Sequence, residues 1–265
     1  MLKIKINGKT YEAEKGEYVL EVCRRNQVLV PTLCHHDGIP GLAVCRLCVV
    51  EVNEGSGNKV VASCVYPLGR DCEVLTESEK IKGIRKTILL MLKTMAPEGD
   101  RLASLCQIYG VEENERFTAA SPVKGISQER RLASSCVLCG LCAQACAALG
   151  TCAISTVGRG VGKKVSTPYD EPSADCIGCG SCAAVCPTKA IECTEAKGQR
   201  FIWSRKFTLL RCAICGKAFA TEEEYAWALK KAAVSEIDGE APLCDTCRKK
   251  RSADVFAAAF GERAD

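Results

Sequence analysis

Cys136-Val-Leu-Cys139-Gly-Leu-Cys142-Ala-Gln-Ala-Cys146 and Cys176-Ile-Gly-Cys179-Gly-Ser-Cys182-Ala-Ala-Val-Cys186-Pro187 are two copies of one cysteine pattern, and their spacing decides the reading of the chain. At C-x2-C-x2-C-x3-C, three thiolates hold one [4Fe-4S] cluster and the fourth crosses to the cluster of the other run. Two complementary half-sites follow. Cys136, Cys139, Cys142 and Cys186 are expected on the first cluster, and Cys176, Cys179, Cys182 and Cys146 on the second. Gly140, Gly178 and Gly180 provide small turns through which backbone N–H groups can approach the sulfurs. Pro187 follows the last ligand as the pattern requires, whereas Ala147 stands in the matching place after Cys146. Structural zinc is the weaker reading, because zinc modules do not carry this interlocked four-cysteine run.

The surrounding segment reads as a bacterial-type 2[4Fe-4S] ferredoxin domain, placed at residues 128–200 with an insertion from Leu149 to Pro172. The insertion contains Gly158-Arg-Gly160-Val-Gly162-Lys163-Lys164, which fails as a phosphate loop. No glycine stands five residues before Gly162 and no Ser or Thr follows Lys163, so a glycine-rich turn is expected.

Upstream, Leu2-Lys-Ile-Lys-Ile6 alternates apolar and polar residues, Asn7-Gly8 is a hairpin turn, and Thr10 to Ala13 resumes the extended pattern. Tyr18 to Arg25 has helical spacing, Pro31 breaks it, and Val49–Val52 and Val60–Ala62 are β-branched strands. Within this frame lie Cys34, Cys45, Cys48 and Cys64, four thiols with a central C-x2-C suited to a [2Fe-2S] cluster held by loops over a sheet. His35 and His36 adjoin Cys34, but four cysteines already complete the site, so hydrogen-bonding or solvent-facing roles are expected for them.

The stretch Pro31-Thr-Leu-Cys34-His-His, followed by Cys45-Arg-Leu-Cys48-Val-Val-Glu-Val52, resembles the amino-terminal [2Fe-2S] domain of the large iron-sulfur subunit of respiratory complex I. It is similarly close to the small diaphorase subunit of NAD-linked hydrogenases. The resemblance implies a β-grasp fold over residues 1–76, with those four cysteines as ligands. It also implies a following [4Fe-4S] site built from one histidine and three cysteines. The chain departs from that pattern: from Lys80 to Phe117 there is no histidine and one cysteine, Cys106. A helical linker without that cluster, residues 77–127, is the expectation. Thr76-Glu-Ser-Glu79 reads as a capping box opening its first helix, a second helix runs from about Glu98 to Tyr109, and Phe117 to Gly125 reads as linker.

The carboxy-terminal segment, 201–265, holds Cys212-x2-Cys215 and Cys244-x2-Cys247, which look like the two knuckles of a zinc ribbon, with a further [4Fe-4S] cluster as the alternative. Thr221-Glu-Glu-Glu224 caps a helix there, and Arg248 to Arg251 form a basic run read as a solvated or partner-docking face. Cys23, Cys72, Cys106, Cys152 and Cys193 remain outside all four sets and default to small buried hydrophobes. The fold class is therefore α+β and multidomain.

Twenty-one cysteines in clustered pairs, with no apolar leader, fit metal ligation in a reducing cytoplasm better than a disulfide scaffold. No apolar run approaches the ~20 residues that span a bilayer. The formal charge of +4 counts every cysteine as a neutral thiol. Each four-thiolate centre carries about −2, so four of them bring the chain to about −4 and remove the case for nucleic acid. Aromatic residues, at 5%, offer no base-stacking platform.

These features predict an electron-transfer subunit with no substrate site of its own, carrying one [2Fe-2S], two [4Fe-4S] and one zinc. The resemblance implies a complex-I-like flavoprotein partner that binds FMN and NAD(H), together with a further catalytic subunit or soluble ferredoxin. The missing histidine-cysteine site points toward electron-bifurcating NAD(P)-linked enzymes: transhydrogenase, hydrogenase or formate dehydrogenase. A freestanding polyferredoxin and a zinc-rich nucleic-acid-binding or regulatory module are the competing readings.

Overall fold

Ile4 and Ile6 are buried while Lys3 and Lys5 face solvent, so the alternation at the start of the chain becomes strand β1 (Leu2–Ile6). Asn7 and Gly8 both take positive φ, 47° and 88°, the conformation of a tight hairpin turn, and lead into antiparallel β2 (Lys9–Ala13). In this computed structural model, residues 1–111, 135–232 and 241–260 are described. Helix α1 (Val19–Arg25) and strands β3 (Val49–Asn53), β4 (Asn58–Ala62) and β5 (Cys72–Leu75) complete the first layer. The sheet order is β2-β1-β5-β3-β4, with β1 and β5 parallel and every other neighbour antiparallel. This is the β-grasp arrangement. Ile4, Ile6, Val50, Val52 and Val74 of the sheet pack against Val19, Val22 and Cys23 of α1. Each such side chain contributes roughly 1.5–3 kcal/mol by leaving water.

Helices α2 (Glu79–Met95) and α3 (Asp100–Ile108) follow, α3 ending before Gly110 at φ 58°. The cap of α2 lies two residues later than the sequence pattern predicts. Ser78 is the N-cap, its hydroxyl accepting from the Ile81 amide at 3.3 Å. Thr76 is drawn off by Asn7: the Asn7 side-chain Nδ2 donates to the Thr76 hydroxyl (2.8 Å), and the Thr76 amide donates back to the Asn7 side-chain Oδ1 (2.9 Å). That exchange ties the first turn of the chain to the end of the sheet.

The chain divides into two compact units. The first holds residues 1–150, 154–166 and 181–191. Besides the elements above it contains α4 (Leu141–Leu149), the hairpin β6 (Ser155–Val157) and β7 (Lys164–Ser166), and α5 (Ser181–Ala184). The glycine-rich turn joins β6 to β7. A side chain at Gly158 would meet the Gly162 carbonyl oxygen at 2.5 Å, which explains the glycine there. Leu33, Leu47, Leu89, Leu102, Cys106, Val137, Leu141 and Ala145 form one core. The sequence-expected segments 1–76, 77–127 and 128–200 all contribute to it. The expected boundary at 127/128 and the linker Phe117–Gly125 lie outside the described residues.

The second unit holds residues 151–153, 167–180 and 192–265. Strands β8 (Cys193–Ala196), β9 (Gln199–Ile202), β10 (Arg205–Arg211) and β11 (Ala218–Thr221) form an antiparallel meander in chain order. The β9–β10 hairpin begins before residue 201, so the sheet runs through the place where the sequence sets the last boundary. Helix α6 (Glu222–Lys231) opens with the expected capping box, Thr221 accepting from the Glu224 amide and the Glu224 carboxylate accepting from the Thr221 amide. Helix α7 (Asp245–Phe260) closes the described chain.

Candidate metal centres

Cys34, Cys45, Cys48 and Cys64 are all buried, the first three on the irregular loop between α1 and β3 and the last in a short 3-10 turn after β4. Ala43 and Arg46 take positive φ, 51° and 58°, so the loop coils tightly around the thiols. The Cys45 amide donates to the Cys34 sulfur (3.3 Å) and the Leu33 amide to the Cys45 sulfur (3.5 Å). The Cys48 and Cys64 sulfurs lie 3.3 Å apart. Hydrogen bonding from Cys34 and from surrounding amides holds the Cys45 thiol down at about 6, and the Cys64 thiol and neighbouring donors bring Cys48 down to about 7. One thiol of each close pair is thus biased toward the thiolate a metal requires, while its partner, Cys34 or Cys64, is pushed up by donating the shared hydrogen bond. Gly41 packs against the Cys64 turn so closely that a Cβ would lie 2.6 Å from the Cys64 carbonyl oxygen.

Arg85 of α2 is a residue the sequence pattern hides. It is fully buried, and its guanidinium donates to the Leu47 carbonyl (3.0 Å) and the Val49 carbonyl (2.8 Å), the two residues flanking Cys48. It also donates to Tyr109, the C-cap of α3 (2.9 Å), and pairs with Glu77. One side chain thereby fastens α2 and α3 to the loop that presents Cys48. An isolated arginine in an amphipathic helix reads as solvent-facing, so only the otherwise apolar spacing of Ile81, Ile88 and Leu89 around it could have hinted at burial.

His35 and His36 point elsewhere than the thiols. His35 Nε2 lies 3.5 Å from Asp37, its Nδ1 is buried without a partner, and desolvation lowers its pKa. His36 accepts from the Gly38 amide.

The first ferredoxin-type set converges. Cys136, Cys139, Cys142 and Cys186 line one cavity, closed by Val137, Val165 and Ile191. Gly140, at φ 83°, forms the left-handed entry to α4, which places Cys142 in the first turn of the helix, and Leu138 is likewise left-handed at φ 51°. The Ala190 amide donates to the Cys186 sulfur at 3.2 Å. Burial pushes the Cys139 thiol up to about 11 and Cys142 up to about 12, with neighbouring cysteines, Cys45 among those acting on Cys139, adding to it. Leu42 of the amino-terminal loop lies 3.4 Å from where a Cβ on Gly140 would sit. The two thiol sets are neighbours in one core.

Of the second set, Cys146 lies on α4 and Cys182 on α5 in the first unit, while Cys176 and Cys179 lie on a loop of the second unit. Gly178 and Gly180 in that loop take φ 67° and 77°. Cys152 is exposed, whereas Cys23, Cys72 and Cys106 are buried in apolar surroundings and Cys193 is partly buried. In the segment where the resemblance would place a histidine-cysteine cluster, Leu92, Met95, Leu102, Cys106 and Tyr109 lie in or against the apolar core.

Cys212, Cys215, Cys244 and Cys247 come together with all four sulfurs within 4.8 Å of one another. The first pair sits in the β10–β11 turn, where the Gly216 amide donates to the Cys212 carbonyl and the Cys212 amide to the Lys217 carbonyl. The second pair differs from the sequence expectation of a second knuckle. Cys244 immediately precedes α7 and Cys247 lies in its first turn, so a helix start replaces the second hairpin. Four thiols around a hairpin turn and a helix start can hold a metal ion.

Residues 1–79 match the 2Fe-2S iron-sulfur cluster binding domain and residues 173–192 match the 4Fe-4S binding domain. The chain is an iron-sulfur protein with a [2Fe-2S] domain and a [4Fe-4S] ferredoxin domain. Its relatives include subunits of an NADP-reducing hydrogenase and of NADH-quinone and NADH-ubiquinone oxidoreductases. It is 32% identical over 219 residues to the NADP-reducing hydrogenase subunit HndD of Solidesulfovibrio fructosivorans, covering 72% of this chain and 36% of that protein. It is 26% identical over 207 residues to the NADH-ubiquinone oxidoreductase 75 kDa subunit of Reclinomonas americana, covering 72% of this chain and 29% of that protein. A crystal structure of an NAD+-reducing [NiFe]-hydrogenase in the H2-reduced state matches with a TM-score of 0.53 and 25% identity, over 63% of this chain and 74% of that one. The chain spans about a third of the length of the curated relatives it matches, or less. Among the described residues no helix is long and apolar enough to cross a membrane.

Proposed function

We propose that this chain is the electron-transfer subunit of a cytoplasmic, multisubunit NAD(P)(H)-linked oxidoreductase of the flavin-based, electron-bifurcating kind. The observation that carries the reading is the shared core in which the buried thiols of the amino-terminal loop adjoin the four-cysteine cavity of the first ferredoxin-type set. With Cys106 and apolar side chains in the segment where the resemblance expects another cluster, electrons would pass directly between those two thiol sets.

Cys34 and Cys45 would hold one iron of the [2Fe-2S] cluster and Cys48 and Cys64 the other, a division supported by the Cys48–Cys64 contact and by the Cys34–Cys45 hydrogen bonding. Cys136, Cys139, Cys142 and Cys186 would hold one [4Fe-4S] cluster, and Cys176, Cys179, Cys182 and Cys146 the other, the latter on spacing alone. Bound clusters supply one-electron carriage; the chain's own residues supply thiolates, amide donors and a dry enclosure.

At the carboxy-terminal set a mononuclear ion is favoured. A tetrahedral ion with bonds of about 2.3 Å keeps its sulfurs about 3.8 Å apart. Cys215 and Cys244 lie 3.7 Å apart, and a cubane of four irons would hold its thiolates further from one another. Zinc fits the S4 donor set.

The partner would be a flavoprotein that binds FMN and NAD(H), a reading supported by relatives that are subunits of NAD(P)-linked complexes, with a further catalytic subunit or soluble ferredoxin as the other terminus. Anaerobic purification from the native host tests this. About ten iron atoms per chain and co-purification with a flavoprotein are expected. A lone 28.5 kDa species would favour a freestanding polyferredoxin, and a colourless, zinc-only protein would refute the electron-transfer reading.

A further inference from the structure

Within the second unit, the loop carrying Cys176 and Cys179 is gripped from one sheet. Arg205 of β10 donates through one guanidinium nitrogen to the carbonyls of Ser173 (2.8 Å), Ala174 (3.1 Å) and Cys176 (2.6 Å). The Thr221 hydroxyl, at the end of β11, donates to the Ile177 carbonyl at 2.5 Å. Arg200 of β9 donates to the Gly178 carbonyl at 2.8 Å while its remaining nitrogens bond Glu195. Phe207 packs beneath Gly178, where a Cβ would lie 2.5 Å from the ring, and Arg205 stacks on the same ring with its guanidinium carbon 4.7 Å from the centroid.

Three consecutive carbonyls, those of Cys176, Ile177 and Gly178, are therefore captured by donors of β9, β10 and β11. In a trans peptide the N–H points opposite to the C=O. The amides of Ile177, Gly178 and Cys179 consequently turn away from the sheet as a row of three donors, the arrangement that receives an anion. A four-thiolate [4Fe-4S] centre is such an anion.

The hairpin that supplies Arg205 and Thr221 is itself closed by the carboxy-terminal thiols. Cys212 continues directly from β10, Cys215 sits in the turn, and β11 ends at Thr221. We propose, resting on the cluster assignment above, that the β8–β11 sheet orients the Cys176–Cys179 loop for its cluster through Arg205, Thr221 and Arg200. The metal held by Cys212, Cys215, Cys244 and Cys247 locks the hairpin in that pose. The second [4Fe-4S] cluster then depends on an ion that belongs to another site, and Arg205 and Thr221 are positioning residues for it.

The test uses the full-length chain purified anaerobically, with iron and zinc measured by mass spectrometry and each cluster followed by EPR-monitored redox titration. Arg205→Met, Thr221→Val and the pair Cys244→Ser with Cys247→Ser should each deplete one [4Fe-4S] cluster, removing up to about four of ten irons. Any of that cluster left in Arg205→Met should titrate at a lower potential, since a cation beside it is gone. The [2Fe-2S] signal and the other [4Fe-4S] signal should stay as in the parent. Arg205→Lys keeps the charge but not the planar guanidinium that stacks on Phe207 beneath the loop, so it should remain depleted. Parent-like occupancy and potentials in Arg205→Met and Thr221→Val would overturn the proposal, as would full rescue by Arg205→Lys or simultaneous loss of all three clusters. Retention of the second cluster in the zinc-free double variant would overturn its metal dependence. A parent protein without two [4Fe-4S] signals would instead sink the assignment on which the proposal rests.

Discussion

At the scale of single residues, Arg85 is the most consequential side chain outside the cysteines. Its buried guanidinium satisfies two backbone carbonyls, donates to Tyr109 and pairs with the part-exposed Glu77. Replacing it with methionine leaves two buried carbonyls unmatched, at a cost of about 1–3 kcal/mol each. Arg85→Met should therefore lower the denaturation midpoint sharply and hasten bleaching of the [2Fe-2S] visible absorption. Arg85→Lys should not restore it, because an ammonium cannot fork across both carbonyls. Glu51 behaves differently. The Ser78 hydroxyl and then Lys80 hold its buried carboxyl below the usual range. A depressed folded-state pKa gives stability that is present above the unfolded value of about 4.3 and lost as pH falls through the folded one. Denaturation midpoints measured from pH 7 to pH 3 should fall on the acid side, and Glu51→Gln should flatten that limb. The amino-terminal, first ferredoxin-type and carboxy-terminal cysteines that converge in the fold are legible in sequence because metal ligation imposes fixed spacing. Arg85 is not, since burial of a lone arginine depends on carbonyls some 36 and 38 residues away.

At the scale of elements, the start of α2 shows where local patterns mislead. Thr76-Glu-Ser-Glu79 satisfies the capping-box template, yet Asn7 captures Thr76 from across the sheet and the cap passes to Ser78. A contact 69 residues away in sequence outcompetes one three residues away. Ser78→Ala should cost about 1 kcal/mol as a lost cap. It also strips Glu51 of a donor, so a urea titration should show a larger loss at pH 7 than in Glu51→Gln, where no carboxylate is left unmet. At Thr221 the same template succeeds because both partners are local. Its second bond, to the Ile177 carbonyl, was invisible to any local rule. The strands β8 to β11 are short, and their pairing emerges from tertiary context; the hairpin across residues 200 and 201 was missed for that reason.

At the scale of the molecule, the first unit is one core rather than a string of modules. Leu141, in the first turn of α4, packs in the same cluster as Leu33, Cys34 and Cys45. Leu141→Ala should cost about 2–5 kcal/mol. It should also loosen the amino-terminal loop, seen as faster hydrogen exchange at Leu33 and Cys45 although neither lies near it in sequence. The linear order of motifs made the amino-terminal domain, the helices and the first cysteine run recognisable separately. Their fusion was not recognisable, since it rests on apolar residues of ordinary type.

The sheet order β2-β1-β5-β3-β4 also bears on how the chain is made. The central strand, Cys72–Leu75, is the last of the five to leave the ribosome. Until then two hairpins, β1–β2 and β3–β4, have no strand to join them, and isolated hairpins are marginal in water. All four amino-terminal cysteines emerge before that strand, so a nascent chain presents its complete thiol set to the cell's iron-delivery machinery while its sheet is still open. In the order of synthesis, closure of the β-grasp therefore comes after all four thiols have been made.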